Sequence, residues 1–113
     1  MVDIHLSLQI PRNHPSLAGH FPGHPIVPGV VLLDEVILAI ERQIPEIAIV
    51  FASGGFEIPA CKFLSPVLPG ATLSLILSRD GSSPTLAFRL HQTDQLVAAG
   101  SFRLAKSNEN GDA

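Results

Sequence analysis

The stretch Gly29-Val30-Val31-Leu32-Leu33-Asp34-Glu35-Val36-Ile37-Leu38-Ala39-Ile40-Glu41-Arg42-Gln43 decides how this chain folds. Pro28-Gly29 opens it and Pro45 ends it, which is the punctuation of a helix over residues 29–43. Its apolar residues are Val30, Val31, Leu32, Leu33, Val36, Ile37, Leu38, Ala39 and Ile40. At about 100° per residue they cover most of the circumference. Asp34 and Glu41 share one side, and Glu35 and Arg42 share another. A lone helix that is apolar nearly all round is expected to be buried, with walls on several sides.

Those walls are β. Upstream, Ile4, Leu6, Leu8 and Ile10 alternate with polar residues, so 3–10 reads as a half-buried strand stopped by Pro11. Residues 11–28 hold prolines at 11, 15, 22, 25 and 28, too many for a helix or a central strand. They form a stiffened loop of about 18 residues, a length that usually signals function. Downstream, 46–52 is a continuous apolar run consistent with a buried strand, broken by Ser53-Gly54-Gly55. Residues 56–64 read as a weaker strand before the turn 65–70. Leu73, Leu75 and Leu77, then Leu86, Phe88 and Leu90, then Leu96, Ala98, Gly100, Phe102 and Leu104 alternate along 71–79, 85–92 and 95–105. These three make an antiparallel meander. The polar tail 106–113 is expected to be disordered. The sum is one α+β domain over residues 1–105, a curved antiparallel sheet wrapped around one long helix.

Composition narrows the function. The chain has 113 residues, 46% hydrophobic and only 15% charged, against about 25% charged in ordinary soluble domains. Mean hydropathy is +0.36, so part of the apolar excess is expected at a subunit interface. The longest apolar runs, 36–40 and 47–52, fall far short of the roughly 18 residues of a membrane span. The N-terminal segment lacks the basic and apolar regions of a signal peptide. Cys61 is the single cysteine, which permits neither an internal disulfide nor a cysteine zinc cage. A cytoplasmic protein is expected. Seven Lys+Arg, a net charge of −3 and the absence of Tyr and Trp argue against nucleic-acid binding.

The segment Gly19-His20-Phe21-Pro22-Gly23-His24-Pro25-Ile26-Val27-Pro28-Gly29-Val30-Val31-Leu32-Leu33-Asp34 resembles the active-site segment of the 3-hydroxyacyl-(acyl-carrier-protein) dehydratases of fatty acid synthesis. Lys62-Phe63-Leu64-Ser65-Pro66-Val67-Leu68-Pro69-Gly70 resembles a second motif of the same family, in the right order and at a natural spacing. The resemblance covers roughly Leu6 to Leu104. Longer members of the family carry an extra N-terminal helix and strand, which are not expected here, and Asp34 is followed by Glu35-Val36 where small residues are common. The resemblance implies the hot-dog fold and a hydro-lyase that converts 3-hydroxyacyl thioesters to trans-2-enoyl thioesters. It implies His20 and Asp34 as catalytic residues and the Gly29 backbone amide as oxyanion donor. Phe21, Pro28 and Val30 would line the substrate site. The partner would be an acyl-carrier-protein-linked thioester on its 4′-phosphopantetheine arm, with no metal and no organic cofactor. It also implies a homodimer, or an oligomer of dimers, with sites that draw His20 from one chain and Asp34 from the other.

The residue types suit that chemistry. A histidine titrates near neutrality and can take the proton beside the thioester carbonyl. A carboxyl group can protonate the departing hydroxyl. Val30, Val31, Ile37 and Leu38, at i±3 and i±4 from Asp34, are expected to give it an apolar setting. The first amides of a helix lack intrahelical partners and face the positive end of the dipole, and glycine allows close approach. Blander readings stand beside these. His20 and His24 could be loop residues, Asp34 could belong to a solvated strip with Glu41, and Glu35 could be the acid instead. His5, His14 and His91 carry no motif, and Cys61 reads as a small core residue. A hot-dog thioesterase, with a helix carboxylate activating water, and a non-catalytic acyl-binding subunit are the rival functions.

Overall fold

A computed structural model describes residues 2–11, 26–81 and 83–104. Among them, five strands and two helices run in the order β1 (Val2–Gln9), α1 (Gly29–Gln43), α2 (Pro45–Gly54), β2 (Phe56–Phe63), β3 (Thr72–Arg79), β4 (Thr85–Gln92) and β5 (Gln95–Leu104). The strands form one antiparallel sheet in the order β1-β3-β4-β5-β2. α1 lies against β1, α2 against β5, and the two helices against each other. This is the α+β hot-dog arrangement expected from the sequence.

Alternation places the core. Leu73, Leu75 and Leu77 of β3 are buried, as are Leu86, Phe88 and Leu90 of β4 and Ala98, Phe102 and Leu104 of β5. They meet Val31, Leu32, Val36, Ala39 and Ile40 of α1 in one cluster. Phe102 is fully buried at its centre, with ring centroids 5.7, 5.5 and 5.2 Å from Phe51, Phe56 and Phe88. Gly100 is required where β2 meets β5. A β-carbon there would collide with the Ala60 carbonyl oxygen and lie 2.9 Å from the Phe88 ring and 3.0 Å from the Cys61 α-carbon.

Two expectations are corrected. Residues 46–52 are not a strand. They belong to α2, which begins with Pro45 at its first position and ends against Gly55, at φ 76°. Proline supplies the helical φ there, and glycine adopts the positive φ freely. The sheet therefore has five strands among the described residues, not six. Nor is α1 buried all round: Val30 is 67% exposed, and Leu38 and Asp34 are also exposed.

β2 sits at a sheet edge for a local reason. Pro59 cannot donate to a ladder, and the register with β5 shifts between Glu57 and Ala60. Residues 12–25 of the proline-rich loop and the tail 106–113 lie outside the described residues.

Candidate active site at the start of the central helix

α1 starts from Pro28, whose extended backbone (φ −61°, ψ 149°) turns the chain into the helix without a side-chain cap. Its carbonyl accepts the N–H of Val31 at 3.0 Å and of Leu32 at 3.1 Å. The amides of Gly29 and Val30 precede this ladder, as the first amides of any helix must. They carry the positive end of the helix dipole.

The two sequence motifs meet here. The Val27 N–H donates to the Val67 carbonyl at 2.8 Å, which joins the entrance to α1 to the turn after β2. The same turn is stitched to β1 on its other side: Ile10 N–H donates to the Ala71 carbonyl, and Gly70 N–H, at 2.7 Å, to the Ile10 carbonyl. The Phe63 ring lies over Gly29. A β-carbon on Gly29 would stand 2.8 to 2.9 Å from three ring atoms, so only glycine fits beneath the ring as it stands. Phe63 is itself half-exposed. Beside it opens a cleft of about 270 Å3, lined by Ile26, Val27, Gly29, Leu32, Phe63 and Leu64. Leu64 N–H donates to the Val97 carbonyl at 2.8 Å, and Gln95 Nε2 donates to Ser65 Oγ at 2.8 Å. The β4–β5 hairpin thus holds the loop that walls the cleft.

Of the site residues named from the sequence, Pro28, Gly29 and Val30 stand together at the helix start. Asp34 follows slightly more than a turn later on the same helix. Val30, Asp34 and Leu38, at i, i+4 and i+8, form one exposed stripe. The apolar setting expected around Asp34 is therefore open on the single chain, since Val30 and Leu38 are exposed with it. Glu35 is half-buried. His20 and Phe21 lie outside the described residues, as do His14 and His24. Cys61 lies on the core-facing side of β2 opposite Gly100, and burial pushes its thiol pKa up. The residue that sequence reading passed over is Phe63. It stands in the second motif, but only the fold brings it onto Gly29.

Comparison with known proteins adds a family. The family model for ApeI-like proteins, described as ApeI dehydratase, matches residues 2–101. The 3-hydroxyacyl-(acyl-carrier-protein) dehydratase FabZ of Thermus thermophilus is 39% identical over 69 residues, covering 56% of this chain and 46% of that protein. The chain spans about half the length of the curated relatives it matches. The dehydratase heterocomplex ApeI:P from Xenorhabdus doucetiae superposes with a TM-score of 0.69 at 27% identity, covering 92% of this chain and 88% of that one. Slr0204, a 1,4-dihydroxy-2-naphthoyl-CoA thioesterase from Synechocystis, has a TM-score of 0.62 at 17% identity and covers 89% of this chain and 79% of that one, a likeness of fold alone.

Proposed function

The chain belongs to the ApeI-like dehydratase family, and from that premise we propose that it dehydrates 3-hydroxyacyl thioesters to trans-2-enoyl thioesters. The substrate would be carried on an acyl-carrier protein through its 4′-phosphopantetheine arm, in the cytoplasm, in fatty acid synthesis or a related lipid pathway. His20 takes the proton from the carbon beside the thioester carbonyl. The electron pair left behind forms the new double bond as the C3–O bond breaks, and Asp34 protonates the departing hydroxyl. The Gly29 N–H stabilises the charge that gathers on the thioester oxygen. Phe21, Pro28 and Val30 are the residues proposed to contact the substrate. This chemistry calls for no metal and no organic cofactor.

The observation that carries the reading is the start of α1. A glycine amide ahead of the helix ladder opens beside a cleft, with a carboxylate slightly more than a turn along the same helix. Asp34 is exposed on the single chain, between exposed Val30 and Leu38. An acid that must deliver a proton works best in a dry setting. A second copy of the chain lying on that stripe would supply one. We therefore propose a homodimer whose sites each pair His20 of one chain with Asp34 of the other.

Mixing inactive variants tests both points. His20→Ala should lose at least about 10²-fold of enoyl formation, as removal of a general base does. Asp34→Asn should fall steeply, and Asp34→Glu should keep part of the rate. Random exchange of His20→Ala and Asp34→Asn subunits makes half the dimers mixed, each with one intact site. About a quarter of wild-type activity should return. No recovery after demonstrated exchange would overturn the shared site. Release of free thiol without enoyl formation by the wild-type protein would replace the dehydratase reading with a thioesterase.

A further inference from the structure

The core-facing row of β3 runs Leu73, Leu75, Leu77 and then Arg79. Three buried leucines are followed on the same side by a half-buried cation, where a strand normally ends in an apolar or solvated residue. Against this end of the sheet α1 passes into α2, and the elbow leaves a cavity of about 220 Å3. Ile44 and Ile47 wall it from the helices, Leu77 and Leu86 from the sheet, and Arg79 and Glu46 supply its charged lining. The Arg79 Nε–H donates to the Ser83 carbonyl at 2.7 Å, which fixes the plane of the guanidinium. Arginine carries further donors on its two terminal nitrogens, in a fork that matches a carboxylate. α1 is 15 residues long, about 22 Å at 1.5 Å per residue, so this cavity lies a helix length from Gly29.

We propose that the elbow cavity is a second ligand site, for a short free fatty acid with its carboxylate on Arg79 and its chain among Ile44, Ile47, Leu77 and Leu86. Size sets the class. The volume is about seven waters at roughly 30 Å3 each, below the roughly 300–1,000 Å3 of pockets for drug-sized ligands. A chain of about eight heavy atoms, such as hexanoate, fills it with the head at the open side. Glu46 also lines the cavity, in the first turn of α2, and opposes an anion there. It gives the site a directional signature that simple hydrophobic binding lacks. The inference is independent of the dehydratase reading.

The test is a titration of the full chain, followed by amide nitrogen–proton spectra, with hexanoate and with hexanol. Hexanoate should give saturable shifts at Ile44, Ile47, Leu77, Arg79 and Leu86, and should bind at least about tenfold tighter than hexanol, the scale of a charged hydrogen-bonded pair. Arg79→Gln should bring hexanoate down to hexanol affinity, and Arg79→Lys, which keeps charge but not the fork, should fall between. Glu46→Gln should tighten hexanoate about threefold by removing a like charge. Shifts that never saturate, equal binding of the two probes, or an Arg79→Gln protein that keeps its hexanoate affinity would overturn the site. Should Arg79→Gln fail to fold, the hexanol comparison and Glu46→Gln decide the matter without touching Arg79.

Discussion

Gly29→Ala separates what the helix start does for the fold from what it does for the chemistry. The new methyl carbon would stand 2.8 to 2.9 Å from the Phe63 ring, against about 3.5–4.0 Å for carbon atoms at ease. The ring must retreat by about 0.7–1 Å. It can do so, because Phe63 belongs to an edge strand and is 48% exposed. Pushing a side chain off its rotamer by that much costs about 0.5–1.5 kcal/mol. Replacing glycine by alanine in a helix returns up to about 1 kcal/mol. The net change in stability should lie within about 1 kcal/mol of zero. With an unfolding entropy near 2.1 cal/mol/K per residue, 113 residues give about 0.24 kcal/mol per kelvin, so Tm should move by no more than about 4 °C. Activity should respond differently. The methyl and the displaced ring occupy the approach to the Gly29 amide, and loss of one oxyanion donor costs about 10²–10³-fold in rate. Enoyl absorbance with a 3-hydroxyacyl thioester, beside a thermal melt, reads both quantities. A stable Gly29→Ala protein with near-normal turnover would refute the role given to this amide.

Other changes should act on the fold alone. Gly100→Ala sets a methyl against the Ala60 carbonyl and the Phe88 ring, where backbone cannot yield as an exposed ring can. It should cost about 2–3 kcal/mol, lowering Tm by about 8–12 °C. Phe102→Ala empties the centre of the aromatic cluster and should cost about 3–5 kcal/mol in urea unfolding, with little change in m. Burial raises the Cys61 pKa, so the reactive thiolate forms only at higher pH than in a free cysteine. Its alkylation by iodoacetamide should lag that of a short cysteine peptide at pH 8 and catch up in denaturant.

The sequence states the helix 29–43 and the last two strands almost residue for residue, because proline, glycine and alternation bound them sharply. It misleads at 46–52. A short apolar run has no period that tells a buried strand from a buried helix. The signals that settle it are Pro45 at the first helical position, Glu46 in the first turn and a glycine just past the end. The burial of α1 is overstated for a related reason: counting apolar residues around a helix says that a wall is needed, not which chain provides it. Val30 and Leu38 are left exposed by this chain's own sheet. At the candidate site, Gly29 is legible as an unpartnered amide from Pro28-Gly29 alone. Its contact with Phe63 is not, since 34 positions separate the two and only strand register brings them together.

The strand order also sets a timetable for synthesis. β1 pairs with β3, placing Asp3 opposite Ser78, and β2 pairs with β5, placing Phe56 opposite Leu104. Leaving the ribosome, β1 and α1 therefore emerge long before the surfaces that cover them. The 75 residues that follow Gly29, up to Leu104, take about 4–15 s at 5–20 residues per second. Throughout that interval α1 is without its complete sheet. The β3–β4–β5 meander, whose contacts are local, can form as soon as it appears and becomes the template onto which both older edges dock. A nascent chain stalled before β5 should accordingly be a client for chaperones that hold apolar helices, and one released after Leu104 should not.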